Sequence, residues 1–359
     1  MSGEESEVRS RESGVPSARA QRATEPQPLT PNPQPRFSIS VVIPVWNGRD
    51  YLERLLATIA AQTSPAGELI AVDNGSRDDA PEVARRAGAR VISMGRNAGF
   101  AAAVNRGIRE SRGDWIAVLN SDVELAPDYF EQLLKTSGWF ATGRILSAAD
   151  PGLIDATFDA TCRGGTTWRV GSGRPDGPLF RTPRTIWSPP WTAALFRAGL
   201  FEKVGMLEES FESYLEDVDF GLRCVKAKCS GEYLPDAVAR HHGSASRGRW
   251  HPETVRLIAR NQVLLVARHL PERKIPAWIA QLLWGAVALR HGVGLAWFRG
   301  KLQGLRQYPA ARSKYRSNDS ELLEPVLSTY EALIRELQNK TGPDLYWKLY
   351  FLMTPGGAK

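Results

Sequence analysis

Cysteine is scarce: three residues in a chain of 359, at Cys162, Cys224 and Cys229. An odd count leaves one thiol over under any pairing, and Cys224 and Cys229 have no second pair at zinc spacing. Neither a disulfide framework nor a structural zinc is supported, which favours a reducing, cytoplasmic setting. Long apolar runs are scarce too. The longest, IPAWIAQLLWGAVAL from Ile275 to Leu289, is interrupted by Gln281 and ends at Arg290. It falls short of the ~20 apolar residues that a bilayer-spanning helix needs. Residues 1–36 are polar, proline-rich toward their end and balanced in charge. Without an apolar stretch of the export type, they read as a disordered tail and not as a signal peptide. No internal repeat organises the chain.

What is present suits one large α/β domain with an appendage. Apolar residues make up 42% and charged residues 24%, enough for a substantial core. The net charge of +7 is unevenly placed, since residues 270–316 hold nine Lys and Arg against one acid, Glu272. Such a patch suits anionic lipid head groups, phosphates or nucleic acid. Its aromatic residues include Trp278, Trp284, Trp297 and Phe298. A basic face with tryptophan favours a membrane interface, and no nucleic-acid recognition module accompanies it. Residues 271–359 therefore read as a basic helical extension. It either packs on the main domain or docks it peripherally on the inner leaflet.

Order is expected from residue 37. Ile39 to Val45 is a β-branched run, apolar enough to be covered on both faces. Asn47 is placed to cap a helix whose stripe is Tyr51, Leu52, Leu55, Leu56 and Ile59. ELIAVDNGS, ARVISM and WIAVLNSD read as further strands, separated by helices around APEVARRAG and NAGFAAAVNRGIRESRG. Strands alternating with helices predict a parallel sheet, with ligands at the strands' carboxyl ends. Asp73 and Asp122 fall at such ends. Beyond residue 137 the pattern loosens. CRGGTTWRVGSGRPDGPLFRTPRTIWSPPW reads as long loops over the sheet, and AALFRAGLFEKVGMLEESFESYLEDVDFGLRC as a return to helical spacing.

The acids cluster. Asp122 and Glu124 stand one residue apart, so in an extended segment both point to one side. Two carboxylates there offer a hard oxygen site for Mg²⁺ or Mn²⁺, although a solvated turn before Pro127 would look alike. Glu216, Asp217 and Asp219 open a helix, where the macrodipole favours acids and a general base is also at home. His241 and His242 are candidate ligands or ordinary surface residues. Asp73 and Asp78 flank a glycine turn that can grip a base or ribose, or is plain turn chemistry. GRNAGFAAAVNRGI lets backbone approach a ligand closely, or packs helix tightly on sheet.

In their order, SVVIPVWNG, VDNGSRDD, RNAGFAAAVNRGI, VLNSDVEL, ESYLEDVDFGLR and HHGSAS resemble the inverting family 2 glycosyltransferases of GT-A fold. The resemblance covers roughly residues 38–270, and most resembles the rhamnosyltransferase-like branch of bacterial polysaccharide enzymes. It implies a Rossmann-like, mostly parallel sheet flanked by helices, with residues 37–270 as catalytic domain. It implies a donor site made of Pro44, Asn47, Asp73, Asn74, Asp78, Asn97, Gly99, Asn105 and Ser121. A divalent Mg²⁺ or Mn²⁺ would be held by Asp122, Glu124 and His241, with His242 as fallback. Asp217 would be the catalytic base, supported by Glu216 and Asp219. Acceptor contacts would come from Trp187, Trp191, Tyr214 and Asp219, within or beside RGGTTWRVGSGRPDG and WSPPW. Glu124 departs from the family's Asp-x-Asp, which leaves its direct contact with the metal open.

The implied reaction moves a sugar from a dTDP- or UDP-linked donor, rhamnose first among them, to a hydroxyl of a saccharide or polyprenyl-linked acceptor. A catalytically inactive binding or scaffold subunit is the alternative. A sugar-phosphate nucleotidyltransferase needs a Gly-rich, Arg-containing loop after the first strand, where PVWNGRDYL stands instead. A phosphatase of the Asp-x-Asp-x-Thr kind is disfavoured by Glu124-Leu125.

Overall fold

ISVVIPV, Ile39–Val45, forms strand β1, and only Pro44 in it is not fully buried. Its β-branched side chains fill both faces of the sheet, as a central strand requires. The computed structural model describes residues 38–243, 250–270, 272, 274–315 and 319–354. The expected tail at 1–36, the GSAS motif's Ser244 to Ser246, and the tail cations Arg273 and Arg316 lie outside the described residues.

From β1 the chain alternates as α1 (Arg49–Ala60), β2 (Glu68–Asp73), α2 (Ala80–Arg86), β3 (Arg90–Ser93), α3 (Phe100–Glu110) and β4 (Trp115–Leu119). These four strands pair parallel in the order β4-β1-β2-β3. The stripe Leu52, Leu55, Leu56 and Ile59 of α1 is buried on one side of the sheet. On the other, Gly107 of α3 permits contact: a Cβ there would sit 2.3 Å from Val42 Cγ1. Tight helix–sheet packing is thus what that glycine serves.

The second half is mixed. It comprises β5 (Val123–Leu125), α4 (Tyr129–Leu133), β6 (Phe140–Ser147), β7 (Ile154–Ala156), β8 (Asp159–Thr161), β9 (Thr167–Arg169) and β10 (Arg184–Ile186). Then come β11 (Ala193–Arg197), α5 (Gly199–Val204), α6 (Glu216–Lys226) and β12 (Gly231–His241). The main sheet runs β10-β12-β6-β11-β4-β1-β2-β3. Strand β11 enters antiparallel to both β4 and β6, where the sequence suggested helical spacing. AALFR is buried from Ala193 to Phe196, and a short all-apolar run of that kind carries no periodicity to separate strand from helix. The segment expected as long loops holds the β8–β9 hairpin, and β5 adds to β12.

Among the described residues, five α-helices follow: α7 (Pro252–His269), α8 (Lys274–Arg290), α9 (Gly294–Lys314), α10 (Glu324–Thr341) and α11 (Leu345–Met353). Helices α10 and α11 contribute Tyr330, Ile334, Leu337, Trp347 and Tyr350 to the same apolar core as Phe158, Ala160 and Cys162. Glu331 of α10 accepts from the Arg163 amide at 2.9 Å, and the Tyr350 hydroxyl accepts from the Gly164 amide at 3.1 Å. The C-terminal helices therefore support the turn of the β8–β9 hairpin.

Candidate active site

The loops after β1, β2 and β3 are stitched into one surface at the carboxyl ends of their strands. Asn47 has φ 61° and its side-chain oxygen accepts from the Arg77 amide at 2.8 Å. It does not cap α1, whose N-cap is Gly48. Instead Asp78 accepts from the Arg49 amide at 3.0 Å, across from the next loop. Asp73, buried at the end of β2, accepts from the Ser76 amide at 2.8 Å. Asn74 donates to Asn97 Oδ1 and the Gly99 carbonyl, and accepts from the Ala98 amide. Six expected donor residues (Asn47, Asp73, Asn74, Asp78, Asn97 and Gly99) thus share one hydrogen-bonded or contiguous group of loops. Pro44 precedes them in β1 and Ser121 follows β4, both partly exposed.

Asp122 and Glu124 contact different histidines. Strand β4 ends at Leu119, a turn carries Asp122, and Glu124 lies in β5, opposite Arg240 of β12. Asp122 Oδ1 lies 3.2 Å from His241 Nε2, whereas Glu124 Oε1 lies 2.8 Å from His242 Nε2. The His242 ring also packs on Tyr51, with centroids 5.0 Å apart. The other ring nitrogen of His241 meets Asp155 Oδ2 of β7 at 2.9 Å. Burial opposes a charge on His241, yet its bonds to Asp122 and Asp155 carry its pKa up to about 9.

Among the described residues, no group of three or more His, Cys, Asp or Glu converges as a ready metal cage. Asp122 and His241 still fit a divalent ion as a pair. Their ligating atoms are neighbours, one a hard oxygen and one an imidazole nitrogen, and Asp155 orients the imidazole from behind as outer-shell carboxylates do. Glu124 is engaged with His242 and stands outside that pair.

A second group of acids faces the β8–β9 hairpin. Asp159 and Arg169 are directly opposite in the hairpin's register, and Arg169 Nε lies 3.3 Å from Asp159 Oδ1. Arg169 Nη2 also reaches Asp217 Oδ2 at 3.4 Å. Burial raises the pKa of Asp217, and Arg169 limits the rise. Burial likewise lifts Asp159 to about 6 against the pull of Arg169. Glu216 is pushed well above the carboxylate range, first by burial and then by the charge of Asp217. Glu216 Oε2 and Asp159 Oδ2 are buried without a hydrogen-bond partner. Buried polar atoms are rarely left so, unless a ligand or water meets them.

The approach to Asp217 is strained. Glu212, Tyr214 and Leu215 have φ of 60°, 72° and 68°, in a left-handed region costly for side-chain-bearing residues. Helix α7 holds this loop. Asn261 Nδ2 donates to the carbonyls of Phe211, Ser213 and Tyr214, and Arg260 donates to those of Ser210 and Phe211 and to the Glu212 carboxylate. From the other side Gly99, φ 91°, abuts the loop: a Cβ there would lie 2.7 Å from the Glu212 carbonyl. The donor-side loops and the loop before Asp217 are therefore in contact.

Three expected site residues are buried within the fold. Asn105 is buried, bonded to the Leu207 backbone through both ends of its amide. Asp219 is fully buried among Arg223, Arg268 and His269, so no acceptor reaches it. Burial alone would raise its pKa, but those three groups hold it far below the usual range. Trp191 is buried among Phe196, Phe201 and Phe220. Trp187 is half-buried and its amide donates to the Tyr330 hydroxyl, while Tyr214 is 36% exposed beside Thr254. Sequence reasoning named neither Asp155 nor Asp159, nor Arg260 and Asn261. The available signal was two acids set in the otherwise apolar alternation of IDATFDAT.

Residues 40–141 match the model of the glycosyl transferase family 2 domain. N-acetylglucosaminyl-diphospho-decaprenol L-rhamnosyltransferase of Mycobacterium tuberculosis is 29% identical over 283 residues, 70% of this chain and 91% of the relative. Undecaprenyl-phosphate 4-deoxy-4-formamido-L-arabinose transferase of Pseudomonas syringae is 33% identical over 126 residues, 32% of this chain and 37% of the relative. A crystal structure of GalNAc-T7 with UDP, GalNAc and Mn²⁺ superposes with a TM-score of 0.58 at 15% identity, covering 82% of this chain and 58% of that one.

Proposed function

The chain belongs to glycosyl transferase family 2 and has the GT-A fold, and on that premise we propose a metal-dependent, inverting transfer to a lipid-linked or saccharide hydroxyl. The donor would be a nucleotide sugar, with dTDP-rhamnose the first candidate because the mycobacterial relative is named an L-rhamnosyltransferase. That relative and the Pseudomonas one are both named for polyprenyl-linked partners, which favours such an acceptor in bacterial polysaccharide synthesis.

One observation carries the reading: Asp155, which bonds His241 beside Asp122, also acts by its charge on Arg169, and Arg169 bonds Asp217. Asp73, Asn74 and Asp78 would hold the nucleoside. Asp122 and His241 would hold a divalent ion, whose chemistry is to offset charge on a departing diphosphate. Asp217 would take the proton of the acceptor hydroxyl. Burial raises its pKa, which makes it a stronger base than an ordinary carboxylate, and the charge of Arg169 limits that rise. Attack from the face opposite the leaving group inverts the anomeric carbon. Glu216, pushed well up by burial and by the charge of Asp217, has a buried carboxyl oxygen without a partner that would be placed to hydrogen-bond a substrate hydroxyl.

The test is Mn²⁺-dependent hydrolysis of a panel of nucleotide sugars by the wild type and Asp122→Ala. Slow cleavage of one donor, lost in EDTA and in the variant, supports the reading. A panel neither cleaved nor bound in calorimetry overturns it.

A further inference from the structure

Helices α8 and α9 are apolar on the wrong side. In α8 the exposed residues include Ile275, Trp278, Leu282 and Leu289, which recur at the spacing of one helical face. In α9 they include Leu295, Phe298, Leu302 and Leu305, again on one face. Leu282 and Phe298 are 56% and 57% exposed. A helix in a globular protein turns such a stripe inward. Here each helix buries a second face and leaves this one to solvent.

The arrangement is fixed and cannot roll the stripes under. Gly300 and Gly304 bring α9 against α7 so closely that a Cβ would lie 2.2 Å from the Arg256 carbonyl and 2.8 Å from that of Arg260. Between the three helices, Lys301 is buried and donates to Gln262 of α7 and Gln281 of α8. Trp297 packs over Gly285, locking α8 to α9.

We infer that the outward face of α8 and α9 docks on a bilayer surface bearing anionic lipid. Its charge selects that occupant. Arg290, Arg299 and Arg306 are exposed on these helices, and residues 274–314 contain no Asp or Glu. A second copy meeting this face would set arginine against arginine with no acid in either helix to pair with. Anionic head groups supply the missing charge, and the leaflet's apolar layer takes the Leu, Ile, Trp and Phe side chains. None of the described helices is long and apolar enough to cross a membrane, so the contact is lateral. This inference does not depend on which donor or acceptor the site takes.

The full-length protein is sedimented with phosphatidylcholine vesicles, with or without about one-third phosphatidylglycerol. The wild type pellets with the anionic vesicles and less so at high salt. In Leu282→Glu/Phe298→Glu the partition coefficient falls by roughly a hundredfold. In Arg299→Glu/Arg306→Glu it falls as the anionic fraction's contribution is lost. Both variants keep the wild-type melting temperature, because the replaced side chains are at the surface. No pelleting of the wild type, or unchanged pelleting of both variants, overturns the inference. So does a lipid-free dimer in sedimentation velocity that Leu282→Glu/Phe298→Glu converts to monomer, since the face would then be a contact between copies.

Discussion

The Asn261 side-chain amide donates to the Tyr214 carbonyl at 2.7 Å, linking α7 to a loop 47 residues earlier in the chain. Tyr214 has positive φ, and the same amide reaches the carbonyls of Phe211 and Ser213. Residues held in such backbone conformations cost ~1–3 kcal/mol each, so the loop keeps its form only while it is held. Asn261→Ala is expected to lower stability by about 1–3 kcal/mol and kcat by roughly tenfold or more. Donor KM should change little, because the donor-side residues do not bond Asn261. Steady-state kinetics and urea unfolding read the two effects. A loss confined to stability would sink the positioning role.

Asp122→Ala and His241→Ala are both expected to abolish Mn²⁺-dependent donor hydrolysis. Asp155→Asn, which removes only the group behind the imidazole, should weaken Mn²⁺ affinity by about 10–100-fold. Glu124→Gln should leave Mn²⁺ affinity close to wild type, since Glu124 bonds His242. Titration of Mn²⁺ against hydrolysis rate ranks the four variants, and a severe Glu124→Gln defect would contradict the division between the two histidines.

Asp217→Asn should cost about 10²–10⁴ in kcat with donor binding retained, the range for loss of a general base. Arg169→Ala should raise the pKa of Asp217 further by removing its nearest cation. The acidic limb of the rate profile should then move to higher pH, a shift that a folding defect alone does not produce.

Acid stability has a defined origin. Burial disfavours the charge of Glu208, but its bonds to Lys314 and Arg268 take its pKa down to about 2. A depressed carboxylate stabilises the fold above its unfolded pKa, near ~4.3, and that stabilisation drains away as pH falls toward the folded value. Asp219 acts in the same direction. The melting temperature should therefore fall between pH 5 and 2, and Glu208→Gln should flatten part of that fall. An unchanged slope would remove Glu208 from the account.

Gly107→Ala places a methyl group where Val42 Cγ1 already lies, so the variant should be destabilised by about 1–3 kcal/mol. Denaturant melts measure this directly.

The first half of the fold was legible because its signals are local. β1 runs over Ile39–Val45 as its β-branched run predicts, and the α1 stripe buries Leu52, Leu55, Leu56 and Ile59. Past residue 137 the sheet is assembled from short strands whose pairing is long-range. AALFR is a strand only because β4 and β6 flank it. The donor-side loops and the acids Asp122 and Asp217 follow from motif order. Asp159 contributes through the register of the β8–β9 hairpin and Asp155 through the placement of β7 beside His241, neither of which the two acids in IDATFDAT specify. Asp219 misled for a related reason: two acids in one helical turn look equivalent until Arg268 and His269, from α7, claim one of them.

The bonds from Glu331 and Tyr350 to the hairpin turn give the stretch from α10 onward a weight that its distance in sequence from the acids conceals. Arg163 and Glu331 are 168 positions apart. A stop codon after Leu323 would leave every acid of the site encoded. Yet it would remove the Glu331 carboxylate from Arg163 and the tyrosine hydroxyls from the Gly164 and Trp187 amides, and open the core around Phe158 and Cys162 to water. Late nonsense alleles should therefore behave genetically as nulls. A missense scan should find its intolerant positions in α10 at Tyr330 and Glu331, both buried in the core.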